Sequence, residues 1–398
     1  MPRYRPLTDD EEDLFRSYAR YAFRPQLSPD KADDTPDGPR RVGDRRGLFP
    51  DDGDDPVAVC AHLWFEADIR GCRLSTPGLS AVATPPEYRR QGHASDLLRH
   101  VLEEYRERGD HVSVLWPFKY AFYRDLGWEE AYRFVHHEVE PDRLQTAAAT
   151  PAGEFSPVSP DEYHLVDEVY RRCTDGYDLA FARDETWWRH RLFESWFGQH
   201  YVYRWIDDDG TTRGYLIFRH DGDDRDRTLA VYDHGATDAE AYRQLCRFLA
   251  DHDSQVGSIR MAEPIEGTLR DHLETRGGVE TTIHGGAMVR LVDAPRTLEA
   301  ISLPADVEAT VVLDIADDLV DWHDGALEVA ISDGAAMCTR TDSDPEVALD
   351  IGTLSAIVVG AQPVSRYVDT GDLTGDTDAI AALEAAFPPR PVWCPDWF

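Results

Sequence analysis

The sequence predicts a three-part protein of the α/β to α+β class, in which the first two parts have mixed central sheets and the third is α+β. Its 398 residues exceed the roughly 100 to 200 residues of one domain. Short apolar runs closed by glycine or proline alternate with segments of helical periodicity, the pattern of sheets covered by helices. We place the parts at 1–150, 151–293 and 294–398, with a linker from Thr146 to Pro157.

In the first part, the spacing of Leu14, Tyr18 and Ala22 predicts a helix, and an Asp-, Pro- and Gly-rich loop is expected from Ser28 to Asp55. Apolar runs then predict the strands of one mixed sheet. These strands are expected within Val57–Ala67, Leu79–Thr84, Val112–Trp116 and Trp128–Val139.

A basic turn follows the second of these strands. Pro85 and Pro86 stop the strand, because proline lacks a backbone donor, and the turn Arg89-Arg90-Gln91-Gly92-His93-Ala94 follows. An amphipathic helix is expected next, with the apolar side chains Leu97, Leu98, Val101, Leu102 and Tyr105 on one face. Free N–H groups at a helix start, beside arginines, predict an anion site.

A short helix is predicted after the third strand. Pro117 closes Val112–Trp116, and Lys119 to Leu126 is long enough for about two helical turns. Gly127 is placed to end this helix.

The rest of the chain is predicted to form a second αβ unit without such a turn and then a third unit. For the second, we predict helices at Tyr163–Cys173, around Trp187-Trp188, and at Asp238–His252, with strands at Tyr201–Ile206, Gly214–Arg219, Leu229–Asp233 and Gly257–Met261. For the third, we predict strands at Val307–Leu313 and Ala326–Ile331 and a helix at Asp378–Phe387.

The charge excludes some functions. The formal net charge is -35, from 76 acidic and 41 basic residues, and Lys31 and Lys119 are the only lysines. We interpret this as a solvated, salt-adapted (halophilic) surface that repels nucleic acid and has no electrostatic attraction to anionic membranes. Six scattered cysteines, an N-terminus without an apolar signal and no long apolar run indicate a soluble, cytoplasmic protein.

The turn and the short helix resemble the acetyl-CoA site of the GCN5-related N-acetyltransferases (GNAT). The likeness lies in Arg89, Gly92 and Ala94, after Val-Ala-Thr-Pro-Pro, and in Phe-Tyr-Arg-Asp-Leu-Gly-Trp at 122–128. It implies that acetyl-CoA is the co-substrate and that Tyr123 protonates the departing thiolate. The cofactor-binding residues it implies are Val82, Ala83 and Thr84 for pantetheine, Arg90, Gln91, Gly92, His93, Ala94 and Ser95 for pyrophosphate, and Phe118 and Lys119.

The whole chain resembles the enhanced intracellular survival (Eis) acetyltransferases, through Met288-Val-Arg-Leu-Val-Asp-Ala-Pro-Arg296 and the terminus Cys394-Pro-Asp-Trp-Phe398. This likeness implies two tandem GNAT-like domains with mixed sheets, the second degenerate, and a C-terminal sterol-carrier (SCP2)-like α+β domain. It implies that the C-terminal carboxylate of Phe398 is the general base and that the protein is a homo-oligomer, such as a hexamer. No metal is required.

We therefore expect an N-acetyltransferase that moves acetyl to a primary amine by direct attack. Polyamine-like, aminoglycoside-like and lysine acceptors are implied by the resemblance, and the acidic residue Asp396 in the tail fits a cationic acceptor. The alternative is a lipid- or apolar-ligand-binding protein of sterol-carrier type with a vestigial transferase module. The aromatic pair Trp397 and Phe398 could also simply pack the tail onto a core.

Other residue patterns are weaker. Gly78-Leu-Ser-Ala-Val82 lacks the second glycine of a serine-hydrolase elbow. His136 and His137 are adjacent in a strand and should point to opposite faces, so they cannot chelate together. Trp187 and Trp188 are expected in the core of the second part, with an aromatic-lined pocket as the alternative. Tyr21 and Phe23 are expected in the core, with a substrate cleft as the alternative.

Overall fold

The computed structural model describes residues 2–24, 42–194, 200–222, 227–274 and 277–398. Its elements up to residue 144 are β1 (Arg3–Pro6), α1 (Glu12–Phe23), β2 (Asp44–Phe49), β3 (Ala58–Leu63), β4 (Glu66–Ile69), β5 (Cys72–Ser75), β6 (Gly78–Ala83), α2 (His93–Arg108), β7 (Val112–Leu115), α3 (Tyr120–Arg124), β8 (Glu129–Glu130), β9 (Arg133–Val139) and α4 (Pro141–Leu144).

The middle of the chain contributes β10 (Glu154–Pro157), α5 (His164–Thr174), α6 (Glu185–Trp187) continuing as a π-helix (Trp188–Phe193), β11 (Tyr201–Ile206), β12 (Thr212–Asp221), β13 (Thr228–Ala236), α7 (Ala239–Ala250), β14 (Ser258–Pro264), α8 (Leu269–His272), β15 (Val279–Gly285) and β16 (Met288–Leu291). The last part comprises α9 (Ala294–Ala300), β17 (Ala309–Ala316), β18 (Leu327–Ser332), β19 (Ala335–Arg340), β20 (Val347–Asp350), α10 (Ile351–Val359), α11 (Val364–Thr370), β21 (Leu373–Gly375) and α12 (Thr377–Ala386).

The first sheet has the strand order β1-β2-β3-β6-β7-β16-β8 and is mixed, because β6 and β7 run parallel while their neighbours are antiparallel. The amphipathic helix α2 buries Leu97, Leu98, Val101, Leu102 and Tyr105, the face predicted from its periodicity. The helix predicted from Lys119 to Leu126 is shorter in the structure, where α3 ends at Arg124, and Gly127 lies in the turn that follows, at a positive φ of 86°.

The second sheet has the order β10-β11-β12-β13-β14-β9-β15, and it corrects one prediction. We expected Trp128–Val139 to complete the first sheet; its beginning, β8, does lie there, but β9 pairs with β14 and β15 in the second. In return β16, from the far end of the second unit, enters the first sheet between β7 and β8. The alternation of apolar residues indicates which face of a strand is buried but not which strand it pairs with. The exchange of β9 and β16 between the two sheets was therefore not predictable from the periodicity.

Two loop predictions are also wrong in part. Of the predicted acidic loop, 28–41 lies outside the described residues, and Asp44–Phe49 is a strand between β1 and β3, with Leu48 and Phe49 fully buried. The charged residues in the first half of this strand led us to predict a loop, although its second half is apolar. Within the predicted linker, β10 pairs with β11 at the edge of the second sheet.

The third unit is a five-stranded sheet, β19-β18-β17-β20-β21, with helices packed against it, which is α+β as predicted. Every residue of α10 is buried. A helix that is apolar all round is buried on all sides, and α10 packs against β16 and β8 of the first sheet as well as its own strands. The third unit is therefore joined to the first through a shared core.

The two adjacent histidines lie in β9 in different surroundings. His137 is buried, with Nδ1 2.9 Å from the Thr281 hydroxyl, whereas the half-buried His136 ring lies 4.9 Å from His284. These different surroundings agree with the prediction that the two side chains point to opposite faces of the strand. In the described part of the chain, no helix is both long and apolar enough to cross a membrane.

Candidate active site

Strand β6 leaves its regular pairing in the middle of the first sheet. It pairs with β7 at Gly78 and Val114, and its register to β3 shifts between the pairs Ala61–Ser80 and Val59–Ala83. The extra residue puts Ala81 at a φ of 51°, an unusual conformation for a residue with a side chain. The bulge turns the backbone around Ala81 and Val82 out of the ladder, and both residues line a pocket.

The basic turn beyond β6 leaves backbone donors free. The first helical bond of α2 runs from Asp96 to the Gly92 carbonyl, so the amides of His93, Ala94 and Ser95 have no partner within the helix. Gly92 has a φ of 87°, and a Cβ there would contact nothing within 4 Å. Arg90 and Gln91 are exposed beside these amides. This donor set fits a pyrophosphate group.

Tyr123 lies on α3 and is only 3% exposed, yet it contributes to the pocket wall. Its ring contacts Phe118 at 5.4 Å and Trp128 at 6.2 Å between centroids. Burial raises the pKa of Tyr123 above its ordinary value, with the neighbouring Cys60 adding to the rise. The phenol therefore carries its proton at neutral pH, as a general acid must. Phe118 is 61% exposed and lines the pocket, and the exposed Lys119 precedes α3.

The pocket has a volume of about 450 Å³ and lies between the first two units. Its walls include the bulge of β6, Tyr123, the aromatic side chains of α1 and the π-helix region of the second unit. Phe398, the last residue of the sequence, also lines it. The structure thus brings Val82, Tyr123 and Phe398, which are distant in sequence, to one cavity.

The tail that carries Phe398 is held by the first unit through tryptophan contacts. The indole N–H of Trp116 donates to the backbone carbonyl of Asp396 at 2.9 Å, and the Trp116 and Trp397 rings stack at 3.8 Å. The Phe398 ring packs 5.4 Å from Phe65, and a Cβ built on Gly78 would lie 2.9 Å from Phe398 Cζ. The absence of a side chain at Gly78 gives the terminal ring its space.

The second unit holds the same tail with charged groups. Arg191 donates to the carbonyl of Trp397 at 2.6 Å. The buried Arg183 donates to both carboxylate oxygens of Asp396, at 3.0 and 3.1 Å, and the Trp187 indole donates to one of them at 2.7 Å. Such charge-assisted bonds are stronger than neutral ones, so the tail is fixed on both sides of the pocket.

The position of Asp396 corrects our expectation that it recognises a cationic acceptor. Its side chain is buried between Arg183 and Trp187 and is not among the lining residues of the pocket. Burial raises the pKa of Asp396, and the charge of Arg183 opposes that rise. Its carboxylate is bonded to Arg183 and Trp187, which hold the tail in place, and it does not face the cavity.

Arg290, within the motif at 288–296, contacts the segment that follows α3, the helix that carries Tyr123. It is fully buried, donates to the Leu126 carbonyl at 2.7 Å and pairs with Asp317 at 2.6 Å. The same oxygen of Asp317, Oδ2, also lies 2.7 Å from His323 Nδ1. Gly127 must lack a side chain here, because a Cβ would lie 1.7 Å from the Arg290 guanidinium. This contact links the end of α3 to the third unit.

Of the residues predicted for the cofactor, Val82 and Phe118 line the pocket, Ala83 and Thr84 end β6, and the turn from Arg90 to Ser95 follows. Sequence reasoning missed the bulge at Ala81, since no residue type marks it. It also missed Trp116 and Arg191, whose partners lie far away in sequence.

The structure agrees with the core prediction for some of these aromatic residues and not for others. Trp188 is fully buried and donates to Asp167, as expected for core, whereas Trp187 is buried but also lines the pocket. Tyr21 is 49% and Phe23 50% exposed, so the core assignment is wrong for both, and Phe23 lines the pocket. Both lie on α1, and helical spacing alone did not distinguish a residue that lines a cleft from one that packs in the core.

Comparison with known proteins gives three family matches. The family described as "Acetyltransferase (GNAT) domain" matches residues 3–131, a second family of that description matches 179–291, and "Sterol carrier protein domain" matches 294–395. The N-acetyltransferase Eis of Mycobacterium tuberculosis is 26% identical over 357 residues, covering 86% of this chain and 85% of that protein. An uncharacterized N-acetyltransferase of Streptomyces griseus is 27% identical over 352 residues, 83% of each chain.

Two solved structures share the fold over the full length of both chains. The GCN5-related N-acetyltransferase from Anabaena variabilis superposes with a TM-score of 0.82 at 22% identity, covering 100% of each chain. Eis1 from Mycobacterium abscessus superposes with a TM-score of 0.77 at 22% identity, again over 100% of each chain. The arrangement of two transferase-like units and a sterol-carrier-like unit is therefore shared with these proteins.

Proposed function

We propose, from the premise that the chain belongs to the Eis-like N-acetyltransferases of the GNAT superfamily, that it transfers the acetyl group of acetyl-CoA to a primary amine. The observation that carries the proposal is the shared pocket of Val82, Tyr123 and Phe398. It combines a bulged strand, a buried phenol and the last residue of the sequence in one cavity. The sterol-carrier alternative is not favoured, since the relatives compared over most of the chain are N-acetyltransferases.

The bound acetyl-CoA would supply the thioester. In our proposal the free amides of His93 to Ser95 and the side chains of Arg90 and Gln91 hold its pyrophosphate. Val82, Ala83 and Thr84 offer backbone groups to the pantetheine arm where β6 departs from β7. Phe118 and Lys119 flank the arm from the start of α3.

The acceptor amine must lose a proton before it can attack, because an alkylammonium has an ordinary pKa near about 10.4. We assign the acceptance of this proton to the α-carboxylate of Phe398, whose ring is fixed against Gly78 and Phe65. The neutral amine then forms a bond to the thioester carbon by direct attack. Backbone N–H groups near Val82 stabilise the negative oxygen that develops.

Collapse of this tetrahedral centre breaks the carbon–sulfur bond and leaves the thiolate as the leaving group. Tyr123 donates its proton to that sulfur, and its raised pKa keeps the proton available until the thiolate forms. The attacking nitrogen is cationic in the tetrahedral centre, and it loses its extra proton as the amide forms, while the phenol recovers one proton. The amide and the free thiol then leave, and the Phe398 carboxyl releases to solvent the proton that it accepted.

The first test replaces Tyr123 with phenylalanine. We expect turnover, followed as release of free thiol, to fall about 10²- to 10⁴-fold, the usual contribution of general acid catalysis. Acetyl-CoA affinity, measured by calorimetry, should be unchanged. Tyr120→Phe is the matched control, because Tyr120 lies on the same helix but donates its hydroxyl proton to Glu129. Wild-type turnover in Tyr123→Phe would contradict the assignment.

The second test moves the carboxylate of Phe398. Adding one alanine after Phe398 keeps every side chain of the tail but carries the carboxylate about 3.5 Å further along the chain. Deleting Phe398 removes the ring as well. Both changes should slow transfer while leaving acetyl-CoA binding intact, and full activity in the extended protein would remove Phe398 as the base.

The resemblance implies polyamine-like, aminoglycoside-like and lysine acceptors, and these form the first assay panel. It also implies a homo-oligomer, such as a hexamer, which gel filtration at high salt would measure. From the charge of -35 we expect no nucleic-acid or membrane partner, and the six scattered cysteines remain the basis for expecting a cytoplasmic protein.

A further inference from the structure

A second cavity borders the C-terminal tail. It has a volume of about 160 Å³ and is more enclosed than the pocket of Val82, Tyr123 and Phe398 (the transfer pocket). Trp393 and Trp397 of the tail line the second cavity, whereas the next residue, Phe398, lines the transfer pocket. Among the residues that the structure describes, none lines both cavities. The end of the tail therefore contributes to two distinct spaces.

The second cavity lies in the second sheet where the transfer pocket lies in the first. β13 runs parallel to β14 from Thr228 to Ala230, and Tyr232 is then left out of the pairing with β12. β6 likewise runs parallel to β7 and has its bulge at Ala81. In each sheet, the bulged strand lines its cavity beyond the parallel pairs. The second cavity is therefore the counterpart of the transfer pocket.

A phosphorylated cofactor does not fit this counterpart, because the position for its anion is already filled. Asp238 stands before α7, and its carboxylate accepts backbone N–H bonds from Glu240 and Ala241, both at 3.0 Å. Arg213 pairs with the same carboxylate at 2.7 Å. The chain thus supplies its own anion at the start of this helix. The cavity that remains has room for a smaller molecule only.

The charged groups at this cavity already have partners. Asp233 lines it, but Arg183 lies 2.7 Å from the Asp233 carboxylate, and the Tyr215 hydroxyl donates to that carboxylate at 2.9 Å. His234 also lines it, and its Nε2 lies 3.9 Å from a Glu263 carboxylate oxygen. Among the described lining residues there is no lysine or arginine. These surroundings favour an uncharged ligand, since a charged one would lose its hydration without gaining a free counter-ion.

The size and the walls of the cavity indicate a ligand with one aromatic ring. Five tyrosines and two tryptophans are among its lining residues. A cavity of about 150 Å³ is large enough to hold one benzene molecule. Aromatic rings attract one another in offset and edge-to-face contacts, beyond the gain from burial. A volume of about 160 Å³ enclosed by rings therefore suits a single six-membered aromatic ring.

Two tyrosine hydroxyls at this cavity are suited to one polar group on such a ring. The half-buried Tyr177 makes no side-chain hydrogen bond to another residue that the structure describes. The Tyr232 hydroxyl reaches the Trp397 carbonyl only at 3.5 Å, which is long for an O–H···O bond. A hydroxyl both donates and accepts, so a hydroxyl on the ligand would pair with either of them.

We propose that this cavity is a second ligand site for an uncharged molecule with one aromatic ring and one hydroxyl group, of the phenol class. The site does not depend on acetyl-CoA, because its lining is separate from the transfer pocket. A bound ring would lie against Trp397, the residue next to the proposed base, Phe398. The unit without a cofactor turn would thus keep a ligand site of its own.

The experiment titrates phenol into the full-length protein by calorimetry, without acetyl-CoA. We expect saturable binding with a Kd below about 1 mM, an affinity that so small a ligand can reach. Cyclohexanol has the same hydroxyl but no aromatic ring, and it should bind at least about fivefold more weakly. No saturable binding up to about 10 mM phenol, or equal affinity for cyclohexanol, would overturn the proposal.

A matched pair of variants decides which cavity holds the phenol. Ala262 on β14 lines the second cavity, and Ala19 on α1 lines the transfer pocket. Ala262→Leu takes up space in the second cavity and should weaken phenol binding at least about tenfold, whereas Ala19→Leu should leave it unchanged. Weaker binding only in Ala19→Leu would place the phenol in the transfer pocket and refute the assignment, as would unchanged binding in both variants.

A second variant decides the matter if Ala262→Leu proves to be unfolded in urea titration. Tyr177→Phe removes one hydroxyl and keeps the ring, so the protein should fold normally. It should weaken phenol binding about two- to tenfold, the contribution of one hydrogen bond. Tyr201→Phe on β11 is the control, because Tyr201 lines neither cavity. Equal phenol affinity in Tyr177→Phe and the wild type, or an equal loss in Tyr201→Phe, would refute the site.

Discussion

Adding one methyl group at Gly78 should displace the terminal residue without touching the cofactor turn. The Cβ of Gly78→Ala would lie 2.9 Å from both Phe398 Cζ and Phe65 Cε2. Carbon atoms prefer separations of about 3.5 to 4.0 Å, so each of the two contacts must lengthen by roughly 0.6 to 1.1 Å. Phe65 is confined between Phe181, at 4.2 Å, and Trp187, at 4.9 Å, whereas Phe398 borders the open space of the pocket. We therefore expect the larger displacement at Phe398.

A misplacement of about 1 Å at a reacting group can cost about 10²-fold in rate. We therefore expect kcat of Gly78→Ala to fall by about 10- to 100-fold in a thiol-release assay, with acetyl-CoA affinity changed less than about twofold. Overpacking should lower the free energy of unfolding by only about 1 to 3 kcal/mol, which urea titration would measure.

The control for this variant is Gly257→Ala, since a Cβ at Gly257 would contact nothing within 4 Å. A compensating variant adds Phe398→Leu to Gly78→Ala, because the smaller side chain relieves the contact and should restore part of the rate. If Gly78→Ala turns over like the wild type, the terminal carboxylate does not need the position that the structure gives it.

Three further predictions concern stability. Arg290→Met leaves Asp317 buried without its cation and should lower the free energy of unfolding by about 3 to 5 kcal/mol in urea titration; Arg366→Met on the exposed side of α11 is the control. Burial raises the pKa of Asp317, but His323 and Arg290 outweigh it and lower the value to about 2. Because this pKa is depressed in the folded protein, the ionised Asp317 carboxylate stabilises the fold by on the order of 2 kcal/mol. This stabilisation is complete above about pH 4 and is lost as the pH falls through about 2. Asp317→Asn should abolish that part of the pH dependence. Finally, the unfolding free energy should rise from low to molar salt as screening reduces the repulsion of 76 acidic side chains, and a salt-independent value would refute the salt-adapted surface.

Local features of the chain were predictable from sequence, and long-range pairings were not. The strand Tyr201–Ile206 was placed at its observed bounds, and Gly92 marked the start of α2, because both follow from neighbouring residues. The exchange of β9 and β16 between sheets depends on which edges meet in three dimensions. The burial of Asp396 depends on Arg183, more than two hundred residues away, so its charge alone suggested the wrong role.

The sequence of the second unit contains no Arg-x-x-Gly-x-Ala motif, and we predict that this unit is catalytically silent, yet it contributes to the site. It supplies Arg183 and Trp187 to Asp396, and Arg191 to the carbonyl of Trp397. The first unit supplies the Trp116 side of the same clamp. This gives a physical reason for retaining a copy that we predict to be silent: without its charged groups the tail would lose the partners of its buried carboxylate, and we expect the proposed base to leave the pocket in which Tyr123 lies.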